Sequence, residues 1–268
     1  MERQGTVGDD VRRFWNSRAT LGAHAGTRDL IAKQLEIDAI GTHVRDGMRV
    51  LDVGCGNGLT ALELASRYRI TVTGIDYAEE MIETARQLAA ERALGERVTF
   101  EVADLRTLSG RDAGFDLVYG ERVLINLPDW ATQHRAIVTV SRLLVPGGHY
   151  VMCENSQDGL DRLNGLRARV GLPAITPPWH NRYLRDAEIT AAVVPGLRLE
   201  RVIDYSSTYY FLSRVVNAWL AGREGREPEY DAPVNQLAFE LPPIGDVGQG
   251  RIWLWARVDG ADEGAERG

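Results

Sequence analysis

The chain has 268 residues, of which 44% are hydrophobic, and it carries a formal net charge of −7. This length allows one domain with elaborations and a substantial core, and the acidic balance makes nucleic acid an unexpected partner, because nucleic-acid surfaces need clustered Lys and Arg. No apolar run approaches the ~18 residues of a membrane span and residues 1–15 lack the apolar core of a signal peptide, so we expect no membrane segment and a cytoplasmic location.

The N-terminal region, residues 1–44, is predicted to form a helical lid. Residues 10–44 have a helical pattern that is interrupted by a glycine-rich break at 21–27. Aromatic and arginine side chains near that break, Trp15 and Arg18 among them, are suited to cover a bound cofactor. The alternative is an N-terminal helix that packs on a sheet, and both can hold.

From residue 45 onwards, short apolar runs alternate with amphipathic helices. The predicted strands span 49–53, 70–75, 97–102, 115–119, 148–153, 197–205 and 251–258. The predicted helices span 58–67, 79–94, 130–144, 156–170, 183–192 and 207–222. This alternation predicts an α/β fold, a doubly wound sheet with helices on both faces and right-handed crossovers. In such sheets a ligand lies beyond the carboxyl ends of the strands.

Two insertions interrupt this domain, which we place at 45–258. One spans about 155–192 and the other about 205–250. The sequence leaves open whether the second insertion is a lid, a pocket wall or the contact of a homodimer. The polar, acidic tail at 259–268 is predicted to be disordered.

A glycine-rich loop follows the first strand, in "VLDVGCGNG" at 50–58. A strand, a glycine turn and a helix in this order bring backbone N–H groups and a helix N-terminus to a ligand. The dinucleotide-binding fingerprint needs glycines at relative positions 1, 3 and 6. Here they occupy positions 1, 3 and 5, and Leu59 stands at position 6. The loop also lacks the lysine of a P-loop, so a ligand without a pyrophosphate is favoured.

Acidic residues stand at or near the ends of the first four strands: Asp52, Asp76, Asp104 and Glu121. Each alone is explained by the preference for a carboxylate before a helix. Four of them at one edge of a parallel sheet indicate a site for a nucleoside that carries a positive charge. A carboxylate after the second strand suits the ribose hydroxyls, and another can accept a hydrogen bond from an adenine amino group.

Five successive motifs carry a family resemblance. They are "VLDVGCGNG", "GIDYAEEMIETAR", "VADL", "FDLVYGE" and "LLVPGGHYVM". In this order and spacing they resemble the class I S-adenosylmethionine-dependent methyltransferases, over roughly 45–155 and the terminal strand 251–258. The resemblance implies a Rossmann-like, seven-stranded sheet whose last strand is antiparallel, with S-adenosylmethionine as the cofactor.

The resemblance also implies a set of cofactor-binding residues at the carboxyl edge of the sheet. In chain order these are Asp52, Gly54, Gly56, Gly58, Asp76, Tyr77, Met81, Asp104, Leu105 and Glu121. Asp52 and the three glycines would cradle the methionyl part, and Asp76 would hold the ribose. Asp104 and Leu105 would read the adenine edge, and Glu121 would lie near the transferred methyl group. Tyr77 and Met81 would flank the adenine.

Methyl transfer to a hydroxyl needs a base, because a proton leaves as the new bond forms. Among the five histidines, His180 in "TPPWHNRYL" is the preferred candidate, since two prolines fix its segment and aromatic and polar residues surround it. The other candidate bases are Glu121 and Glu154. The acceptor-binding candidates are Trp179, Asn181, Tyr183 and Tyr209.

The sequence indicates neither a metal site nor a disulfide. No cluster of His, Cys and Asp has metal-ligand spacing, although a divalent ion held by acceptor-side carboxylates stays open. Cys55 and Cys153 are expected to be free thiols. One strand separates the two that carry them, which places them ~9–10 Å apart and beyond disulfide reach.

The identity of the acceptor depends on three segments, "GERVLINLPDW", "MCENSQDGLDRLN" and "PPWHNRYL". They resemble a bacterial methyltransferase subgroup associated with carbohydrate and polysaccharide biosynthesis, which makes a sugar or oligosaccharide hydroxyl the first expectation. Two alternatives stay open. One is an N- or O-methyltransferase of a peptide, amine or phenolic natural product, which a more apolar pocket would favour. The other is a non-catalytic protein that binds S-adenosylmethionine without turnover.

Overall fold

The computed structural model describes residues 7–108 and 113–258. Residues 1–6 of the predicted lid and the predicted disordered tail at 259–268 lie outside these ranges. The strands are β1 (Arg49–Val53), β2 (Thr71–Asp76), β3 (Val98–Val102), β4 (Phe115–Glu121), β5 (Leu144–Asn155), β6 (Leu197–Ile203) and β7 (Gly250–Arg257). Each overlaps a strand predicted from the sequence.

Helices flank these strands in chain order. They are α1 (Val7–Arg18), α2 (Leu30–Gly41), α3 (Leu59–Arg67), α4 (Glu79–Glu91), α5 (Trp130–Leu143), α6 (Gln157–Arg169), α7 (Asp186–Thr190), α8 (Ser207–Phe211), α9 (Ala218–Arg223) and α10 (Pro233–Gln236). Short 3-10 turns occur at Ala19–His24, Leu124–Asn126 and Leu237–Phe239, and a π-helical segment at Leu212–Asn217 joins α8 to α9.

The strands within residues 7–108 and 113–258 form one sheet in the order β3-β2-β1-β4-β5-β7-β6. β1 pairs in parallel with β2 and β4, whereas β7 runs antiparallel to β5 and β6. The predicted Rossmann-like fold, a doubly wound sheet whose last strand is antiparallel, is confirmed. The strand order reverses between β1 and β4, where a crevice opens at the carboxyl edge.

The two faces of the sheet bury separate apolar layers, and β7 contributes to both. Because side chains alternate along a strand, Ile252 and Leu254 pack on the face covered by α2, α3 and α4. Trp253 and Trp255 pack on the opposite face with α5, and both indoles are fully buried. The sheet is therefore a rigid platform for residues at its carboxyl edge.

The predicted helix at 183–192 is shorter in the structure, where only α7 is helical. Leu184 instead forms a parallel bridge with Ser156, and its N–H donates to the carbonyl of Asn155. Extended backbone at this point carries Tyr183 into the interior, away from the crevice.

The predicted glycine-rich break in the lid corresponds to the 3-10 turn between α1 and α2. Gly22 has a φ of 55°, a value that favours glycine. Its carbonyl accepts a hydrogen bond from the Asn57 side chain at 2.7 Å, which ties the turn to the glycine loop. The N-terminal helices therefore lie across the crevice.

The second insertion holds the lid at the start of α2. Asp29 is the N-cap of that helix, and its carboxylate accepts from the backbone N–H of Ala32 at 3.0 Å. The same buried carboxylate accepts from the Tyr209 hydroxyl and the Arg214 guanidinium. We call this arrangement of Asp29, Tyr209 and Arg214 the lid clamp.

Two further expectations concern thiols and membrane segments. Cys55 and Cys153 are free, as predicted. Among residues 7–108 and 113–258, no helix combines the length and the apolar character needed to cross a membrane.

Candidate active site

A cavity of about 390 Å³ lies at the carboxyl edge of β1, β2 and β4, beneath the lid. The sheet and the lid each supply part of its wall, and the segment after α6 closes its far end. The predicted site residues that line it are Trp15, Asp52, Gly54, Gly56, Asp76, Tyr77, Met81, Asp104, Leu105, Glu121, Trp179, His180 and Asn181.

The glycine loop forms the floor of the cavity. The absence of side chains at its first two glycines allows the loop to pack closely and leaves the cavity open. Gly54 has a φ of 69°, and a Cβ there would come within 2.3 Å of a Val123 methyl carbon. Gly56 has a φ of 53° and no atom within 4 Å of its Cβ position, so its missing side chain leaves open space. Both positions require glycine, the first for close packing and the second for access.

Gly58 differs from the other two glycines and does not line the cavity. A Cβ there would lie 2.4 Å from the Phe100 ring, so Gly58 lets the start of α3 pack against β3. The close helix–strand packing that the dinucleotide fingerprint assigns to its third glycine is thus supplied here one residue earlier. The cradle role that we expected for Gly58 has no support from its position.

Asp76, at the end of β2, is oriented by the backbone. One carboxylate oxygen accepts from the N–H of Gly56 and the other from the N–H of Ala78, each at 2.9 Å. Burial raises the pKa of Asp76, and these hydrogen bonds oppose that rise. Since a carboxylate offers about four acceptor positions, Asp76 keeps acceptor capacity for a ligand hydroxyl.

Asp52, near the end of β1, lies deeper in the cavity wall. The Tyr119 hydroxyl donates to its carboxylate at 2.7 Å. Burial nevertheless raises the pKa of Asp52 to about 8. The group is therefore mainly protonated at neutral pH and becomes a charged partner when a cation approaches.

The end of the cavity between β2 and β3 is flat and aromatic. The Tyr77 ring centroid lies 5.4 Å from the guanidinium carbon of Arg12, in the lid, and 5.9 Å from that of Arg106. Arg106 also pairs with Asp104 at 2.5 Å. Burial acts to raise the pKa of Asp104, but Arg106 outweighs it and holds that pKa below its ordinary value. Met81 closes this end from below.

Glu121 belongs to a buried charge cluster that the sequence did not reveal. Its carboxylate accepts from Lys33 and from Thr60, each at 2.6 Å, and pairs with Arg122 at 3.1 Å. Burial alone would raise the pKa of Glu121, but Lys33 and Arg122 lower it below its ordinary value. An anion this strongly held is a poor proton acceptor, so the predicted role of Glu121 as a base has no support.

The remaining member of this cluster is Glu36 on α2, which pairs with Arg122 at 3.2 Å. Burial raises its pKa to about 8. Lys33 and Glu36 stand among apolar residues of α2, as Gln34 and Asp38 also do, so polarity alone did not single them out in the sequence. Lys33 and Arg122 line the cavity, so the cluster joins the lid to its floor.

Glu154 lies behind the cavity and does not line it. Its carboxylate accepts from the backbone N–H groups of Val123 at 2.9 Å and Leu124 at 2.7 Å. Burial raises its pKa to about 8. Glu154 thus caps the turn Leu124–Asn126 and positions it, and its predicted role as a base lacks geometric support.

Another part of the cavity wall is an aromatic cluster around His180, which we call the acceptor end because the predicted acceptor-binding residues Trp179 and Asn181 lie there. The centroid of the His180 ring lies 4.5 Å from the ring centroid of Phe14, 5.6 Å from that of Trp15 and 5.2 Å from that of Trp179. The Trp15 indole donates to the Asn126 side chain at 3.2 Å, which fixes the lid to the turn at the end of β4.

The surroundings of His180 keep its imidazole neutral. Burial lowers the pKa of His180 below its ordinary 6.5, and the neighbouring Arg18 guanidinium lowers it further. Its buried Nδ1 has no hydrogen-bond partner in the described part of the chain. A neutral imidazole with free acceptor capacity is the form a general base requires.

Besides Gly58 and Glu154, three further predicted residues lie outside the cavity wall, namely Arg18, Tyr183 and Tyr209. Tyr209 belongs to the lid clamp, and the buried Tyr183 hydroxyl accepts from Gln249 at 3.3 Å. Arg18 donates to the carbonyl groups of Ala25 and His24 and so closes the 3-10 turn. Contacts with other parts of the protein thus hold Tyr183 and Tyr209 away from the predicted acceptor site, and local contacts hold Arg18 away from the predicted cofactor site.

A metal-binding group is not apparent in the described ranges. Within residues 7–108 and 113–258, no three His, Cys, Asp or Glu side chains are arranged to hold a metal ion. The acids of the cavity are instead engaged by amide, hydroxyl or guanidinium donors.

Comparison with known proteins shows that the chain is similar to methyltransferases. Residues 50–148 match a family model described as a methyltransferase domain. The chain is 34% identical over 141 residues to 27-O-demethylrifamycin SV methyltransferase of Amycolatopsis mediterranei, covering 52% of this chain and 48% of that protein. It is 31% identical over 108 residues to an O-methyltransferase of Aspergillus sclerotiorum, covering 40% of each. The aligned region spans about half the length of these relatives or less.

Solved structures share the fold over a larger part of the chain. The cyclase SpnF has a TM-score of 0.56 and 26% identity, covering 83% of this chain and 80% of its own. Geranyl diphosphate C-methyltransferase from Streptomyces coelicolor has a TM-score of 0.60, covering 96% of this chain and all of its own. At 14% identity, the second likeness shows the fold alone.

Proposed function

Because the chain belongs to the class I S-adenosylmethionine-dependent methyltransferase family, we propose that it transfers a methyl group from S-adenosylmethionine to a hydroxyl oxygen of a small-molecule acceptor. The observation that carries this proposal is the position of a neutral His180 at one end of a cavity whose other end holds the glycine loop and the strand-end acids.

The residues present fit the cofactor. The open space at Gly56 would admit the methionyl part, and Asp52 would pair with its ammonium group. Asp76 would accept from the ribose hydroxyls, and Tyr77 and Met81 would enclose the adenine. When bound, S-adenosylmethionine supplies a methyl group on a positively charged sulfur, which makes that carbon electrophilic.

His180 would accept the proton of the acceptor hydroxyl as the new bond forms. Its lowered pKa keeps it unprotonated at neutral pH. The aromatic rings around it exclude water and hold the acceptor in one orientation, and such alignment is worth on the order of 7–11 kcal/mol of the barrier. The chain's contribution is therefore alignment, proton removal and a dry site.

The lining of the acceptor end bears on the acceptor class. Leu127 and Pro128 line the cavity with the two tryptophans, and the Arg182 guanidinium is already engaged by Gln133 and Glu188. This apolar wall favours a hydroxyl on a phenolic or other natural product, and relatives named as O-methyltransferases agree. A sugar hydroxyl is the second candidate. It is supported by the buried side-chain amide oxygen of Asn181, Oδ1, which has no hydrogen-bond partner among the described residues.

Labelled methyl transfer from S-adenosylmethionine to a panel of phenols, alicyclic alcohols, sugars and amines tests the proposal. We expect an O-methylated product, with turnover lowered by about 10²–10⁴-fold in His180→Ala and unchanged binding of S-adenosylhomocysteine. His134→Ala is the matched control, because His134 lies on α5 and contacts the carbonyl of Val193 instead of the cavity.

The pH profile gives a second readout. A base must be unprotonated, so kcat/KM for the acceptor, measured with saturating cofactor at each pH, should rise with pH through a pKa below 6.5 and stay level above it. This acid limb should disappear in His180→Ala. Transfer to amines alone, or a fully active His180→Ala, contradicts the proposal. Cofactor binding without turnover on any acceptor would favour the non-catalytic alternative.

A further inference from the structure

The cavity is small for the two molecules that a methyltransferase must hold together. Its volume of about 390 Å³ is close to the lower end of the range of about 300–1,000 Å³ for pockets that enclose one drug-sized ligand. The glycine loop and His180 line the same cavity, so the cofactor would occupy most of it. The reacting hydroxyl can reach His180, but a larger acceptor body cannot follow it inside.

A tryptophan stands at the place where such a body would emerge. Trp179 lines the cavity, yet its side chain is 65% exposed. Tryptophan is usually largely buried, and single exposed apolar residues need no explanation by themselves. This one differs because it directly precedes His180 and forms the outer rim of the aromatic cluster.

Trp179 is held in place and does not project freely. The centroid of its ring lies 6.1 Å from the ring centroid of Phe14 and 5.2 Å from that of His180, and both contacts are edge-to-face. The backbone beside it is fixed by a hydrogen bond from the N–H of Asn181 to the carbonyl of Pro178 at 2.9 Å. A rigid, exposed aromatic surface next to a reactive position is suited to bind an apolar partner at low entropic cost.

We infer that the acceptor is longer than the cavity, that it places its hydroxyl at His180, and that its apolar body of linked or fused rings lies on Trp179 outside the cavity. This inference rests on the proposed function and makes Trp179 the residue that selects acceptors by length. A compact acceptor with the same hydroxyl forms only the inner contacts.

The test compares two phenols that differ only in length, phenol and 4-phenylphenol. Their binding to protein saturated with S-adenosylhomocysteine is measured by saturation-transfer NMR and calorimetry. We expect 4-phenylphenol to bind at least roughly tenfold more tightly, because a second ring adds an aromatic contact and buried apolar area. In Trp179→Ala this difference should fall to about twofold or less.

Trp219→Ala is the matched control. Trp219 is 38% exposed, lies on the second insertion and does not line the cavity. It should keep the length preference, and unchanged binding of S-adenosylhomocysteine by both variants shows that each is folded.

Equal binding of the two phenols, or a length preference that survives in Trp179→Ala, overturns the inference. A wild-type protein that does not bind S-adenosylhomocysteine would instead overturn the proposed function. The two failures are therefore distinguishable.

Discussion

The two ends of the cavity are held in different ways. At the cofactor end, backbone groups fix the ligand-facing atoms, as where the N–H groups of Gly56 and Ala78 orient Asp76. At the acceptor end, Trp15 and His180 come from distant segments and meet through ring contacts and one side-chain hydrogen bond. Consecutive strand–helix units thus build a rigid cofactor end, whereas the acceptor end depends on how the lid packs.

This contrast predicts that the largest effect of a single added methyl group occurs in the glycine loop. In Gly54→Ala, the left-handed backbone and the clash with Val123 should together lower the free energy of unfolding by about 3–5 kcal/mol. Urea unfolding measures this loss.

Gly47→Ala is the control for Gly54→Ala. Gly47 also has a positive φ, of 87°, but has no atom within 4 Å of its Cβ position. It should lose only the backbone contribution of about 1–2 kcal/mol. Equal losses in the two variants would show that the contact with Val123 does not hold the loop.

The lid clamp should matter next, and mainly for the acceptor end. Arg214→Met leaves the buried Asp29 without its cation, which should lower the free energy of unfolding by about 3 kcal/mol. Because the clamp holds the start of α2, KM for the acceptor should rise more than the dissociation constant for the cofactor.

The exposed Arg223, which lies over the Trp219 ring, supplies the comparison for Arg214. Arg223→Met should change the free energy of unfolding by less than about 0.5 kcal/mol. If Arg214→Met behaves in the same way, the second insertion does not support the lid.

The protonation state of Asp52 provides a test that is specific to the cofactor end. Its pKa of about 8 means that it is mainly protonated at pH 7, and pairing with the ammonium group of the cofactor requires the charged form. Binding should therefore release about one proton at pH 7, and affinity should rise about tenfold from pH 6 to pH 7. Calorimetry in two buffers of different ionisation enthalpy measures the release.

Asp52→Asn should bind the cofactor roughly tenfold more weakly and release no proton from this site. Tyr119→Phe is the companion variant, because it removes the hydrogen bond that lowers the pKa of Asp52 and leaves the carboxyl in place. It should still release a proton. Proton release that is unchanged in Asp52→Asn would assign it to another group.

The smallest effect is expected at the join between lid and turn. Trp15→Phe removes the hydrogen bond to Asn126, worth about 1 kcal/mol, and should raise the acceptor KM several-fold without changing cofactor affinity. Trp130→Phe, on α5 outside the cavity wall, should change neither. Steady-state kinetics measure the acceptor KM, and titration measures cofactor affinity. A weaker cofactor affinity in Trp15→Phe would contradict the proposal that lid packing affects only the acceptor end.

Much of the fold was predictable, because strand and helix periods are local properties. The alternation at 45–155 was sufficient to predict a parallel sheet, and the end of each strand then located Asp52, Asp76 and Asp104 at one edge. The same reasoning placed Gly54 and Gly56 in the loop. These residues were accessible to prediction because backbone direction alone decides where they lie.

Side-chain partners were much less predictable. Glu154 ends its strand as expected, but its carboxylate caps a turn behind the cavity. Tyr209 carries the polarity of a pocket residue, yet it holds the lid clamp. The Lys33 and Glu36 cluster went unrecognised because it joins helix α2 to the end of β4, far away in the chain.

The order of elements, the parallel sheet and the carboxyl edge that carries the cofactor residues therefore follow from sequence alone, since periodicity and chain order determine them. The sequence already favoured His180 as the proposed proton acceptor, but the engagement of Glu121 and Glu154 by other groups follows only from tertiary structure. Burial and neighbouring charge set the protonation of each group, and both depend on which distant segments pack around it.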